Sequence, residues 1–294
     1  MLPNFIGIGA PRSGTTWLFH CLRDHRDVFV AECKETNFFV YDTIEGRLAE
    51  YEAHFQARKN EKAVGEISPR YLNSPLVAER IRSLVPDVRL FVSLRDPVEQ
   101  VYSHYWHLSR QNFHQWDRTR VPQSFEDALD QYEDKLLQPA LYAEQLRRWL
   151  AHFPADQLYV MVYDDLRARP ESVIRDLYQH LGVDESFIPQ SLNARGTSVR
   201  AGVSPRGAFL GSVHSFLHDQ ANRNLYQPLK NWLGVKRALR IKEGLRVREL
   251  LEAVFMRKGY PRMKDDTRLM LRERLRGEVE ALSQLIGRRL DGWL

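Results

Sequence analysis

The chain has 294 residues, of which 43% are hydrophobic and 28% charged, and its formal net charge is +5. This composition excludes a disordered chain, and 16 glycines and 14 prolines are too few for a collagen-like or linker protein. No uncharged apolar run reaches the roughly 18 residues that a membrane-spanning helix needs, so we expect no transmembrane segment.

The start of the chain and the cysteine content predict a cytoplasmic location. Pro3 and Asn4 lead straight into an apolar run rather than into a signal peptide. The two cysteines, Cys21 and Cys33, are too few for a disulfide framework and are expected to be reduced. The 10 histidines and 2 cysteines never adopt a metal-ligand spacing, so we predict no metal site.

Strands and helices are predicted to alternate along the first two thirds of the chain. Short β-rich apolar runs predict strands at 5–9, 88–94 and 158–163. Helical spacing of apolar residues predicts helices at 16–23, 74–84, from about 98, at 170–181 and within 266–294. This order indicates an α/β fold in three layers, with a central, mostly parallel sheet.

The strand pattern disappears from about residue 203 to 259. We predict one domain over 1–294, with a helical insertion at about 203–260 on the side that would face an acceptor substrate. Residues 230–260 hold nine basic and three acidic side chains, so the positive charge is local. The basicity is therefore not the overall basicity that is typical of a nucleic-acid-binding protein. A solvated helix face, an anionic acceptor and peripheral contact with a membrane all remain open for this segment.

A phosphate-binding loop is predicted between the first strand and the first helix. Residues 9–16 read GAPRSGTT, with two glycines at the spacing of a P-loop. The amides from Ser13 to Trp17 at a helix N-terminus would attract an anion, and Arg12 adds a fixed charge. Thr15 and Thr16 add hydroxyl donors. A P-loop kinase for a small molecule is one possible function. Thr15 argues against it, because it stands where a triphosphate-binding P-loop has its lysine.

A second anion-binding motif follows the strand at 88–94. Arg95 ends that strand, and Ser103 lies about two turns into the next helix, which Pro97 can begin. The carboxyl ends of parallel strands meet at one edge of a sheet, where such folds bind ligands. We therefore expect Arg95 and Ser103 to converge on one phosphate, with Asp96 facing the first loop.

Together, the two motifs resemble those of sulfotransferases that use 3′-phosphoadenosine 5′-phosphosulfate (PAPS), both bacterial enzymes and heparan-sulfate-type domains. Residues 11–18 look like the family's 5′-phosphosulfate loop, and 94–103 like its 3′-phosphate motif. Similarity extends to residues 65–72 and 287–293, and is weakest from about 200 to 260. Arg12 and Ile67 stand where some members have lysine; the first change keeps the charge and the second removes it.

The resemblance implies a PAPS-dependent sulfotransferase with a fold like that of P-loop nucleoside triphosphate hydrolases. Residues 12–17, Arg95 and Ser103 would bind the nucleotide, and Arg195 with Gly196 would close on its 3′-phosphate. The acceptor would be a small molecule, a glycan or a lipid-linked compound, whose hydroxyl or amine is sulfated. The sequence carries no indication of oligomeric state.

The general base implied by the resemblance is Glu35, which precedes Phe38 and Phe39. We expect these rings to bury the local backbone, desolvate the carboxylate and so raise its pKa. Glu66 is the second candidate base, and His104 or His107 a third, because aryl sulfotransferases use histidine. A nucleotide-binding module without catalysis is the non-enzymatic alternative.

Overall fold

The computed structural model describes residues 1–41, 44, 46–110, 122, 124–193, 203–205 and 256–294. The chain divides into two compact units. The first comprises Met1–Val101, Asp134–Val199 and Asp265–Leu294, and the second comprises Tyr102–Glu133 and Arg200–Lys264. The predicted ligands Arg195 and Gly196, and most of the predicted insertion with its basic segment, lie outside the described residues.

The first unit is built on a five-stranded sheet in which every neighbouring pair is parallel. The strand order is β2-β3-β1-β4-β5. The strands are β1 (Phe5–Gly9), β2 (Val28–Val30), β3 (Ala63–Ile67), β4 (Arg89–Leu94) and β5 (Leu158–Val162). Because β1 lies between β3 and β4, the segments that follow these three strands meet at one edge of the sheet. The predicted parallel sheet is confirmed.

Helices follow the strands along the chain. Those of eight residues or more are α1 (Thr15–Asp24), α3 (Val77–Leu84), α4 (Pro97–Arg110), α5 (Phe125–Leu137), α6 (Tyr142–Leu150), α8 (Pro170–Leu181) and α9 (Asp265–Leu285). The shorter ones are α2 (Leu48–Ala53) and α7 (Tyr163–Ala168). Pro170 begins α8, and Gly182, at φ 71°, ends it in a left-handed conformation that glycine adopts without strain.

The core of the first unit lies on both faces of this sheet. Side chains of a strand point alternately to opposite faces. On β4, Leu90 and Val92 therefore join one buried cluster, to which α3, α6 and α9 contribute. Phe91, between them, joins the other cluster, to which α1 and α8 contribute. The result is the predicted three-layer α/β arrangement.

The second unit is described through parts of α4 and α5 and through two short strands. Strands β6 (Val203–Pro205) and β7 (Met256–Lys258) pair antiparallel. They lie at the two ends of the segment that was predicted to be mostly helical, and the sequence analysis predicted neither strand. Three-residue strands carry too little alternation to be recognised. An aromatic cluster stabilises this unit and contains Tyr102, Tyr105, Trp106, Phe125 and Tyr260.

Candidate functional site

The loop between β1 and α1 turns sharply through two left-handed residues. Arg12 has φ 66° and Gly14 has φ 87°. A side chain at Gly14 would also lie 3.1 Å from the Tyr163 ring, so the position favours glycine twice. Left-handed conformation at a residue such as Arg12 is uncommon and clusters at functional sites. The backbone from residue 9 to 16 therefore has a local conformation that could cradle an anion.

Side chains at the end of β4 and the start of α4 donate hydrogen bonds to three consecutive carbonyl groups of this loop. The Ser93 hydroxyl donates to the Ser13 carbonyl at 2.6 Å. Arg95 donates to the Arg12 carbonyl at 3.3 Å, and the Gln100 amide to the Pro11 carbonyl, also at 3.3 Å. In a planar trans peptide the next N–H points the opposite way. The amides of residues 12–14 therefore point away from β4 and α4 and can face a ligand.

The start of α1 completes the row of amide donors. The first amides of a helix have no carbonyl one turn back and carry the positive end of its dipole. Thr15 is buried here, whereas Thr16 is exposed. The expectation that the Trp17 amide also faces the anion was wrong, because it donates to the Gly14 carbonyl at 3.0 Å. The buried Trp17 indole donates to the Ser191 carbonyl at 3.1 Å.

Arg95 is fixed by neighbours on three sides. Besides the Arg12 carbonyl, its guanidinium lies 3.6 Å from the Glu99 carboxylate and 5.2 Å from the centre of the Tyr163 ring. Its side chain is 23% exposed, so a charged group can still reach it. The two predicted anion-binding motifs of the first unit are therefore in contact, through the hydrogen bond from Arg95 to the Arg12 carbonyl. Ser103 belongs to the second unit, where it is buried on α4.

Asp96 caps α4 beside this arginine. Its Oδ1 accepts the amides of Val98 at 2.8 Å and Glu99 at 3.3 Å. Burial raises the pKa of the Asp96 carboxyl, while the two amide donors favour its charged form. The side chain therefore fixes the start of the helix that follows Arg95, a role that the sequence prediction did not assign to it.

Glu35 lies beside the loop but in a different setting from the one expected. Its side chain is 43% exposed, and its Oε1 pairs with Lys34 Nζ at 2.7 Å. The Phe38 ring stacks on Tyr51 at 4.4 Å between centres, and the Phe39 ring packs against Tyr51 and Tyr71. These rings enter the core and leave the carboxylate exposed. The predicted desolvation of Glu35 was therefore wrong; its role as base stays a prediction.

Glu66, the second candidate base, is fully buried at the end of β3. Its carboxylate accepts the hydroxyls of Ser68 at 2.6 Å, Tyr71 at 2.8 Å and Tyr51 at 2.9 Å, and the amide of Thr36 at 3.3 Å. Burial raises its pKa, and these donors oppose the rise. Four donors occupy the positions at which a carboxylate accepts, so Glu66 is suited to holding the Glu35 segment rather than to taking a proton from an acceptor.

Several residues of the site escaped the sequence analysis. Lys34 Nζ lies 3.5 Å from the Thr15 hydroxyl, although nothing in the sequence pattern links the two. Ser93 lay within the predicted strand and Gln100 within the second motif, but neither had an assigned role. Tyr142 is fully buried, and Ser13 and Arg95 both affect its pKa, which burial raises. Tertiary contacts, including the pairing of β1 with β4 and with β3, bring these residues to the loop.

His104 and His107, the third candidate bases, lie in the second unit with their ring centres 6.4 Å apart. Within the described ranges, no group of three or more His, Cys, Asp or Glu side chains is placed to hold a metal ion. Among the helices described, none combines the length and apolar character needed to span a membrane.

Comparison with known proteins identifies the family. A model of the sulfotransferase domain matches residues 2–195. The membrane-associated sulfotransferase kil1 of Dictyostelium discoideum is 25% identical over 268 residues, which cover 62% of this chain and 56% of that protein. The human bifunctional heparan sulfate N-deacetylase/N-sulfotransferase 3 is 28% identical over 62% of this chain and 22% of that protein. The match thus spans about half of the first relative and less of the second.

Among solved structures, a sulfotransferase from Alicyclobacillus acidocaldarius superposes with a TM-score of 0.69. The superposition covers 100% of this chain and 99% of that one at 23% identity, and it confirms the predicted fold. The family match includes both loops that meet beside β1 and β4. The chain therefore belongs to the sulfotransferase domain family.

Proposed function

We propose that the chain transfers a sulfuryl group from PAPS to a hydroxyl or amine of an acceptor. One observation carries the proposal: at the carboxyl edge of a parallel sheet, the loop after β1 accepts direct hydrogen bonds from Arg95, which follows β4, and from Ser93, near the end of that strand. PAPS carries anionic groups at both its 5′ and its 3′ positions. A ligand with two such groups suits a site with two adjacent anion-binding elements.

The residues 12–16 are proposed to hold the 5′-phosphosulfate, and Trp17 to support them from the core. Arg12 would neutralise charge that develops on the bridging oxygen, because fixed donors aimed at developing charge lower the barrier most. Arg95 and Ser103 would bind the 3′-phosphate. Arg195 and Gly196 are proposed to close on the same phosphate. No metal takes part in this proposal.

Glu35 is proposed as the general base. PAPS supplies an activated sulfuryl group whose S–O bond to the 5′-phosphate breaks, with the electron pair kept by the phosphate oxygen. Glu35 accepts the acceptor's proton as the new bond to sulfur forms in line. Its exposed carboxylate beside Thr15 and Lys34 can reach a molecule that enters from solvent. The buried Glu66 holds the Thr36 amide and so positions the segment.

The acceptor is proposed to be a small molecule, a glycan or a lipid-linked compound. The human relative is named for N-sulfation of heparan sulfate, and the Dictyostelium relative for its association with a membrane. The basic segment at 230–260 suits an anionic acceptor or a peripheral membrane contact. A cytoplasmic location and a bacterial origin stay predictions from the sequence.

Nucleotide binding tests the proposal against a P-loop kinase. Calorimetric titration should show binding of PAP, the desulfated product, and weak or no binding of Mg-ATP. Transfer from labelled PAPS is then measured on a panel of phenols, glycans and lipids. Binding of Mg-ATP with no affinity for PAP would reject the proposal and favour the kinase.

Glu35→Gln tests the base. The amide is similar in size but cannot accept the proton, so we expect turnover to fall by roughly 10²–10⁴-fold. The affinity for PAP should stay within about threefold, because the base acts on the acceptor. Glu32→Gln, a change of an exposed carboxylate in the same segment, is the matched control. Undiminished transfer by Glu35→Gln would remove Glu35 from the mechanism.

A further inference from the structure

Lys34 places a cation at the start of α1, where the sequence pattern assigns none. Its Nζ lies 3.5 Å from the Thr15 hydroxyl and 2.7 Å from Glu35 Oε1. The side chain is 19% exposed, which leaves the ammonium group partly open to a ligand. Thr15 is the first residue of α1, so the ammonium group stands at the positive end of the helix beside the predicted anion site.

The backbone of Lys34 is fixed to the end of β3. Its carbonyl accepts the Ile67 amide at 3.3 Å. On either side, the Ala31 amide donates to Gly65 at 2.9 Å, and the Asn37 amide to the Ser68 hydroxyl at 3.0 Å. The segment is therefore attached to the strand next to β1. A lysine held in this way keeps its ammonium group near the loop without a large entropy cost on binding.

We infer that Lys34 is a further catalytic residue, which binds the 5′-phosphosulfate end of the nucleotide and stabilises the departing phosphate. The inference rests on the proposed function. Two partners, Thr15 and Glu35, leave the third N–H of the ammonium for a phosphate oxygen. As the S–O bond breaks, its electrons remain on that phosphate, and Lys34 keeps its proton and offsets the added charge. Glu35 takes the acceptor's proton.

The pairing also gives Lys34 a second effect on the reaction. Glu35 Oε1 and Lys34 Nζ form an ion pair at 2.7 Å. A phosphate oxygen that accepts the third N–H shares the same positive charge, so donor binding weakens the attraction of Lys34 for Glu35 and leaves that carboxylate better able to accept a proton. Donor binding and activation of the base are thereby coupled through a single side chain.

A pair of nucleotides isolates the contribution of the 5′-phosphate without any acceptor. PAP carries both phosphates, whereas adenosine 3′-monophosphate lacks the one at the 5′ position. The dissociation constant of adenosine 3′-monophosphate divided by that of PAP, both measured by calorimetry, reports the contribution of the 5′ site alone. Lys34→Met should lower this ratio about tenfold or more, because a charged hydrogen bond is lost. Lys34→Arg, which keeps the charge, should restore most of it.

Two further variants serve as references. Lys62 is 67% exposed and pairs with Asp27 at 3.4 Å. Lys62→Met removes this cation and should leave both affinities unchanged. Arg95→Ala should weaken the binding of both nucleotides, because both carry the 3′-phosphate. A merely structural role of Lys34 would also weaken both equally and leave the ratio unchanged.

The outcomes separate this inference from the function on which it rests. If the wild type binds PAP and Lys34→Met keeps a ratio within twofold of the wild-type value, the role of Lys34 is rejected and the proposed function stands. If the wild type binds neither nucleotide, both fall. A reduced ratio in Lys34→Met, together with a single-turnover transfer rate lowered by roughly 10²–10³-fold, supports the inference.

Discussion

Arg95 holds the loop after β1 through a hydrogen bond, and the same side chain is proposed to bind the 3′-phosphate. Its guanidinium donates to the Arg12 carbonyl and lies over the Tyr163 ring. Replacing it with alanine should lower the affinity for PAP by roughly 10–100-fold, the effect of one charged hydrogen bond. Calorimetric titration measures this loss, and circular dichroism should show that the fold is retained.

Matched variants make the Arg95 prediction specific. Arg26→Ala removes a guanidinium that pairs with Asp184 and is 70% exposed, and should leave PAP binding unchanged. Arg95→Lys keeps the charge but not the fork of donors, so an intermediate affinity is expected. PAP affinity equal to that of the wild type in Arg95→Ala would contradict the phosphate assignment.

For individual residues, the sequence predicts the residue types at the site but not all the groups that they contact. The glycine spacing and Arg95 after a strand locate both anion-binding elements from local pattern alone. The hydroxyl of Ser93 and the amide of Gln100 contact loop carbonyls that are about 80 residues away along the chain. Lys34 depends likewise on the pairing of β3 with β1. Tertiary contacts of this kind leave no periodic signal in one sequence.

Among the elements, α4 depends on a side chain that caps its first turn. Asp96 accepts the amides of Val98 and Glu99, which would otherwise lack partners. We expect Asp96→Ala to lower the free energy of unfolding by about 0.5–2 kcal/mol, measured by urea denaturation. Because Arg95 precedes this helix, PAP affinity should fall as well.

Asn retains the capping oxygen without the charge and serves as the control at this position. Asp96→Asn should stay within about 0.5 kcal/mol of the wild type, since the two residues cap helices equally well. If the alanine and asparagine variants lose the same stability, the carboxylate charge, and not the cap, is what stabilises the element.

Elements with strong local signals are predicted well, and short or mixed ones are not. The strand at 5–9 and the helix at 170–181 agree with β1 and α8 at both ends. The sequence analysis missed β2 because it has three residues, and β3 because Gly65 and Glu66 interrupt its apolar run. Both strands form because they pair with neighbours in the sheet, and pairing is decided by the whole fold rather than by local propensity.

For the molecule as a whole, the end of the chain is attached to the segment after β5. Arg288 makes two contacts with the Asp165 carboxylate, and Trp293 Nε1 donates to Asp164 at 2.8 Å. Trp293 joins the same buried cluster as Trp149. The last residues therefore stabilise the fold that carries the site, and the motif noted at 287–293 has a structural role.

This attachment predicts a dependence of stability on pH. The bonds from Arg288, together with a smaller contribution from Arg169, lower the pKa of Asp165 to about 2. An unfolded aspartate titrates near pH 4, so the contact contributes fully above roughly that pH and is lost as the pH falls towards 2. Arg288→Met should lower the melting temperature by roughly 2–4 °C at pH 7. The difference from the wild type should shrink between about pH 4 and pH 2.

Thermal denaturation at several pH values measures the effect. Arg289→Met provides the control, because Arg289 is 88% exposed and pairs only with Asp291 among the contacts described. A difference between Arg288→Met and the wild type that is the same at pH 7 and at pH 2 would show that the Asp165 carboxylate is not the source of the stabilisation.

The central claim is that one nucleotide with two anionic ends lies across the loops after β1 and β4. A crystal structure of the chain with PAP tests it most directly. We expect the 5′-phosphate against the amides of residues 12–16, within reach of Lys34, and the 3′-phosphate against Arg95. A nucleotide bound elsewhere, with both loops lacking phosphate contacts, would show that these loops do not bind the nucleotide.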